Sequence, residues 1–298
     1  MVALVAAGVL VAVALGWQPE SATTPNSSSN AAPFTLNTRP TGPTASKAET
    51  GAALGNRAAP VIYRPPNLSL TKPVPLLVAL HPSGGSPALF RSITGLDAVA
   101  DRYGFVVAYL GSLEPASPAW RLVDMSSNLA YVSAEIKSLT VSENIDRKRV
   151  YVTGFSAGAS MTYFIGCRLS SQVDGIASVS GAMRFVDPCH LSHPISELEI
   201  IGTNDAIPIG GSARLLSDAQ VAARWRRLDG CGLHSSAAVA GPVTAVTWNR
   251  CKDASGVALY VIEDGTHEWP GPRASGTDHQ FPAVQAVWAF FAAHPGTG

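Results

Sequence analysis

Gly154-Phe155-Ser156-Ala157-Gly158 sets a serine between two glycines, directly after the β-branched stretch 150–153 and before helix-compatible residues. In a sharp strand-to-helix turn the positions two before and two after the serine have no room for a side chain. The hydroxyl is lifted above the sheet edge, where it can act as a nucleophile. The five-residue pattern alone arises by chance; the strand before it and the helix after it give it meaning. A serine hydroxyl needs a base to take its proton and a third group to orient that base. In the arrangement built on such a turn they follow in the chain order serine, acid, histidine.

Asp205 and His267 satisfy that order. Asp205 closes Gly202-Thr203-Asn204-Asp205 after the apolar stretch 198–201, and His267 closes Gly265-Thr266-His267 after 258–262. Both fall just past predicted strand ends. His81 precedes the serine, His190 and His193 precede the acid, and His234, His279 and His294 lie outside comparable loops. Asp264 and Glu268 are rival acids, but they sit on the histidine's own loop, where the backbone is badly placed to bring a carboxylate to the ring. Acyl transfer also needs backbone donors aimed at the developing oxyanion, each worth ~2.7 to 4 kcal/mol. Ala157, after the nucleophile, supplies one. The loop 81–85 supplies the second, with Ser83 the first choice and Gly84 the next, because Pro82 has no N–H.

The elements that must hold these residues are short, continuous apolar runs separated by helical spacing. Strands are expected over 74–80, 105–110, 150–153, 176–180, 198–201 and 258–262. Helices are expected over 89–101, 128–139, after Gly158, 218–228 and 282–294. This alternation predicts an α/β architecture, a mainly parallel sheet with helices on both faces, whose chemistry sits at the carboxyl ends of strands.

The 298-residue chain is 46% hydrophobic but only 14% charged, and 21 Lys+Arg balance 21 Asp+Glu. An average domain is about a quarter charged, and without a basic excess nucleic acid and anionic membrane surfaces are poor partners. Residues 2–16 are all Val, Ala, Leu or Gly, long enough for the apolar core of a secretory signal and short of the ~20 residues that span a bilayer. We therefore expect a signal peptide or N-terminal anchor over 1–22, a Ser/Thr/Pro/Ala-rich linker over 23–58, and a catalytic domain over 59–298. An exported chain meets oxidising conditions. Local pairing of Cys167 with Cys189 and of Cys231 with Cys251 is the simplest of the three connectivities four cysteines allow. Four free buried thiols, or a zinc site from Cys189, His190 and His193, are the alternatives.

Segments 76–85 (LLVALHPSGG), 145–161 (IDRKRVYVTGFSAGASM), 200–211 (IIGTNDAIPIGG) and 265–271 (GTHEWPG) together resemble the secreted polyhydroxybutyrate depolymerase and feruloyl esterase-like family of α/β hydrolases, close to the first carbohydrate esterase family. The resemblance covers about 61–294. It implies an α/β-hydrolase fold and a serine esterase with no cofactor and no metal. Ser156 is the implied nucleophile, Asp205 the acid and His267 the base, with Trp269 near the substrate mouth and disulfides matching the local pairing. The family loop usually reads His-Gly where this chain has His81-Pro82. With no further binding domain after His294, soluble or small esters are expected rather than solid polyester. The expected protein is a secreted, monomeric hydrolase of small or oligomeric hydroxyalkanoate, feruloyl or acetyl esters. Acyl transfer to a sugar hydroxyl and a non-catalytic exported binding protein are the alternatives.

Overall fold

A computed structural model of the chain describes residues 57–112, 120, 126–184, 189–205, 215–233 and 235–296. They belong to one unit, Ala53–Gly298. The expected leader and nearly all of the linker lie outside the described residues.

Among the described residues nine strands form one sheet. They are β1 (Val61–Tyr63), β2 (Val74–Leu80), β3 (Val106–Leu110), β4 (Ile145–Phe155), β5 (Gly175–Val179), β6 (Ser196–Gly202), β7 (Ser236–Ala240), β8 (Val243–Trp248) and β9 (Val257–Ile262). Their order is β1-β3-β2-β4-β5-β6-β9-β8-β7. The pairs from β3 through β9 are parallel, and β1, β7 and β8 join antiparallel at the edges. Among the described residues six α-helices cover the sheet: α1 (Pro87–Thr94), α2 (Leu96–Tyr103), α3 (Ser126–Ser142), α4 (Ala157–Leu169), α5 (Asp218–Leu228) and α6 (Ala283–Ala293). This is the α/β-hydrolase architecture.

Strand alternation divides the core into two layers. Leu76, Val78 and Leu80 face a cluster built with Tyr131 and Ile136 of α3, Met161 of α4 and Trp225 of α5. Leu77 and Ala79 face Phe90 of α1, Val99 of α2 and Trp288 and Phe291 of α6. Because both faces of the central strands are covered, these strands read as unbroken apolar runs.

The structure departs from the sequence expectation in three places. The helix expected over 89–101 is two helices, because Gly95 adopts a left-handed φ of 73° between them. The strand expected over 150–153 begins at Ile145, where charged residues run on an exposed stretch. The apolar run of β1 is only three residues long, and the β7–β8 hairpin carries no long one. β7 is Ser-Ala-Ala-Val-Ala and largely exposed, so neither propensity nor burial marks it.

All four cysteines are paired, Cys167 with Cys189 and Cys231 with Cys251. The sulfur of Cys189 is therefore not available as a zinc ligand. The first pair ties α4 to the segment leading into β6.

β6 also carries two acidic side chains inside the protein. Leu198 and Ile200 face one core layer, so Glu197 and Glu199 point into the other and are buried with Asp229. Tyr163 O–H donates to Glu199 (3.1 Å), and Ile195 N–H donates to Asp229 (3.1 Å). Both carboxylate oxygens of Glu197 and the second oxygen of Asp229 have no partner. Burial, reinforced by the neighbouring carboxylates, holds Glu197 and Glu199 well above the usual carboxylate range.

Candidate active site

The turn after β4 is as tight as its glycines suggest. Ser156 sits at φ 55°, ψ −116°, a strained conformation of the kind stored at functional sites. Its N–H donates to Val179 O of β5 (3.0 Å), and its carbonyl accepts from Ser160 N–H of α4 (2.9 Å). A Cβ on Gly154 would collide with the backbone of Gly158. A Cβ on Gly158 would collide with the carbonyls of Leu80 and His81. The loop after β2 thus presses directly on the start of α4.

His267 Nε2 lies 2.9 Å from Ser156 Oγ, and its Nδ1 lies 2.9 and 3.1 Å from the two oxygens of Asp205. A carboxylate accepts only, so Nδ1 carries the proton and donates to Asp205. Nε2 is left as the acceptor for the serine hydroxyl. The Asp205 side chain is 0% exposed and that of His267 30%. The acid is sealed while the base keeps an open edge, and the Phe155 ring lies 5.0 Å from the imidazole. Burial first, and the Asp205 charge second, push Asp218 at the start of α5 up to about 6.

The acid and histidine loops meet through glycine. A Cβ on Gly202 would overlap Gly265, and one on Gly265 would stand 2.9 Å from Gly202 Cα. Asn204 N–H donates to Gly265 O (2.8 Å), so the two loops run in backbone contact. Asp278 fastens the histidine loop from the other side, accepting from Thr266 N–H (2.7 Å) and Thr266 Oγ1–H (3.0 Å). The rival acids are engaged elsewhere. Asp264 accepts from Asn204 Nδ2 (3.3 Å), and Glu268 accepts from Ser275 N–H and Oγ–H (2.7 Å each).

Ala157 opens α4, and its N–H is among those a helix start leaves without an intrahelical partner. Ser83 and Gly84 are exposed at the tip of the turn that Gly85 N–H closes onto Pro82 O (3.0 Å). His81 braces this loop. Its Nε2 accepts from Ser112 N–H (3.1 Å), so Nδ1 carries the proton and donates to Pro82 O (2.8 Å). Trp120 Nε1–H donates to His81 O (2.9 Å). Burial holds the His81 imidazole below its ordinary range and keeps it neutral.

The expectation for Trp269 is corrected. Two residues beyond His267, its indole turns inward rather than towards a mouth. It is 6% exposed, lies in the core layer with α6, and packs edge-on against Phe90 at 5.4 Å. It supports the histidine loop from beneath. Sequence reasoning missed the bracing roles of His81, Trp120 and Asp278. The signal for Gly202 and Gly265 was present, since each immediately follows or nearly follows a strand that leads to a candidate catalytic residue.

A mainly parallel sheet with a serine, histidine and aspartate converging at its strand ends defines the class: an α/β hydrolase with a serine-hydrolase constellation. Residues 58–202 match the family model described as esterase PHB depolymerase. The chain is 25% identical over 225 residues to feruloyl esterase B of Piromyces equi, covering 70% of this chain and 42% of that one. It is 25% identical over 224 residues to a probable feruloyl esterase C of Aspergillus clavatus, covering 73% and 77%. It thus spans less than half of the first relative and about three quarters of the second. An acetyl xylan esterase from Aspergillus awamori shares the fold at a TM-score of 0.57 and 15% identity, over 78% of this chain and 93% of that one. The chain is thus similar, over about half to three quarters of its length, to polyhydroxybutyrate depolymerase and feruloyl esterase proteins.

Proposed function

We propose that this chain is an extracytoplasmic serine esterase that hydrolyses carboxylic esters through an acyl-enzyme. The observation that carries the reading is the unbroken hydrogen-bonded line from Asp205 through His267 to Ser156. Ser156 Oγ attacks the ester carbonyl carbon while His267 Nε2 takes its proton. Asp205 holds the imidazole's orientation and stabilises its cation. The carbonyl oxygen becomes an oxyanion, received by the N–H of Ala157 and that of Ser83. Collapse of the tetrahedral species breaks the ester C–O bond, and His267 returns the proton to the leaving alkoxide. Water then attacks the acyl-enzyme, giving its proton to His267; the acid departs and Ser156 recovers its hydrogen.

The substrate class is small or oligomeric esters of hydroxyalkanoate, feruloyl or acetyl type, supported by the feruloyl esterase and acetylxylan esterase names of the relatives. Two disulfides and the apolar stretch 2–16 support export, with residues 1–22 as signal peptide or anchor. The test is hydrolysis of chromogenic esters, from acetyl through longer acyl chains and including feruloyl, by the protein and its Ser156→Ala variant. Loss of turnover in the variant on the preferred ester is expected. Equal turnover by a folded variant would overturn the reading.

A further inference from the structure

The two edges of the sheet are built differently. β1 is three residues long, with Arg91 stacked over Tyr63 and Asp101 accepting from the Tyr63 hydroxyl. Short length and nearby charge are common ways of protecting an edge from pairing. β7 has neither. It is five residues long, and no charged residue occurs from 235 to 249. Among the described residues β8 pairs with one side of β7 and no strand with the other. Val239 is 75% exposed and Leu233, just before the strand, 88%.

The hydrogen bonds show which groups of β7 point outward. Glu263 N–H donates to Pro242 O (2.7 Å), so position 242 bonds towards β9. In an antiparallel ladder the bonding side alternates along a strand. Positions 244, 246 and 248 of β8 therefore also bond towards β9, and 243, 245 and 247 towards β7. Their partners are Ala240, Ala238 and Ser236. The N–H and C=O of Ala237 and Val239 are left directed away from the sheet.

We propose that β7 pairs antiparallel with β7 of a second copy of this chain, on a two-fold axis at Ala238, joining two sheets into one. In that register Ala237 faces Val239 of the other copy, and Val239 faces its Ala237. Each outward N–H thus meets an outward C=O, making four hydrogen bonds across the axis. Shifting the register by one residue would set outward groups against inward ones. The uncharged segment brings no like charges together, and each Val239 side chain covers the Ala237 opposite. A five-residue strand pair is smaller than the ~1,200 Å² of a standard stable interface, so the dimer forms with rising concentration rather than being permanent. This proposal departs from the expectation of a monomer and is independent of the catalytic reading.

The test is sedimentation velocity on the purified protein from low to high micromolar, beside disulfide trapping. The wild type is expected to shift from monomer to dimer. Ala237→Pro removes only an outward donor, and edge strands accept proline; this variant is expected to stay monomeric with ester hydrolysis unchanged. Ala238→Cys places two thiols across the axis in a non-hydrogen-bonded pair, with Cα atoms ~4.5 Å apart, within disulfide reach. Mild oxidation should link it into a covalent dimer. Ala237→Cys sits diagonally to its counterpart and should not link. A monomeric wild type at every concentration, a dimer that survives Ala237→Pro, or equal trapping at both cysteine positions would overturn the proposal.

Discussion

Replacing Asp229 by asparagine is expected to make the protein more stable at neutral and alkaline pH while giving no gain in acid. Asp229 is 0% exposed, with one oxygen accepting from Ile195 N–H and the other without a partner. Burial, only partly offset by that hydrogen bond, pushes its carboxyl from 3.8 up to about 8. The unfolded chain releases the proton near 3.8 and the native state near 8, so between these limits the native protein holds one more proton. Stability from this group is complete below the unfolded value and declines as pH rises through the folded one. The slope is about 1.4 kcal/mol per pH unit. Over the roughly three units from 3.8 to neutrality the loss reaches a ceiling of about 4 kcal/mol. Asparagine keeps the acceptor for Ile195 and does not ionise, but leaves a buried N–H₂ group unpaired at a cost of ~1 to 3 kcal/mol. The expected net gain at pH 7 is therefore about 1 to 3 kcal/mol, shrinking to zero or reversing towards pH 4. Glu197 and Glu199 leave a residual slope of the same sign in the variant. Urea denaturation with the disulfides intact, at one-unit steps from pH 4 to 9, measures both curves. Parallel curves would refute the reasoning, since they would mean that Asp229 ionises alike in both states.

Three further outcomes follow from the site. Asp205→Asn should keep the fold but lower kcat by about 10⁴-fold, because an amide cannot hold the imidazole tautomer that leaves Nε2 free; a loss under tenfold in steady-state kinetics would count against Asp205 as the orienting acid. Gly202→Ala should lower kcat by at least about 10²-fold, since the new methyl forces the acid and histidine loops apart, with circular dichroism checking that the fold survives. Trp269→Phe should leave KM for a feruloyl ester unchanged while lowering the thermal midpoint, because the indole is packing beneath the loop; a large rise in KM with unchanged stability would return Trp269 to the substrate.

The parts of this protein legible in its sequence are those where one constraint dominates. Strands buried on both faces show as unbroken apolar runs, so β2 was readable to the residue and α5 likewise from its amphipathic spacing. The serine turn was readable because both glycines are forced by backbone collisions on either side of one residue. The two side chains that converge with Ser156, Asp205 and His267, were readable from chain order and strand ends. What escaped depended on neighbours distant in the chain. The exposed β7 is a strand only because β8 pairs with it. Glu197 and Glu199 lie in the core although their residue type argues for the surface, since β6 is covered on both sides. His81 reads from the sequence only as a structural or solvated histidine of the 81–85 loop, yet its ring joins Ser112 to Pro82 and shapes the turn carrying Ser83. Trp269 looked like a binding platform because aromatic residues near a site suit either role, and only its packing on Phe90 decides between them.

The backbone contact between Gly202 and Gly265 makes the acid loop and the histidine loop one mechanical body. Thermal displacement of either carries the other with it, so the separation of Asp205 from His267 is insulated from movement elsewhere on the rim. Ser156 hangs from a different anchor, the junction of β4, β5 and α4. The two anchored bodies meet at the single joint between His267 Nε2 and Ser156 Oγ, the bond across which the proton passes in the proposed mechanism.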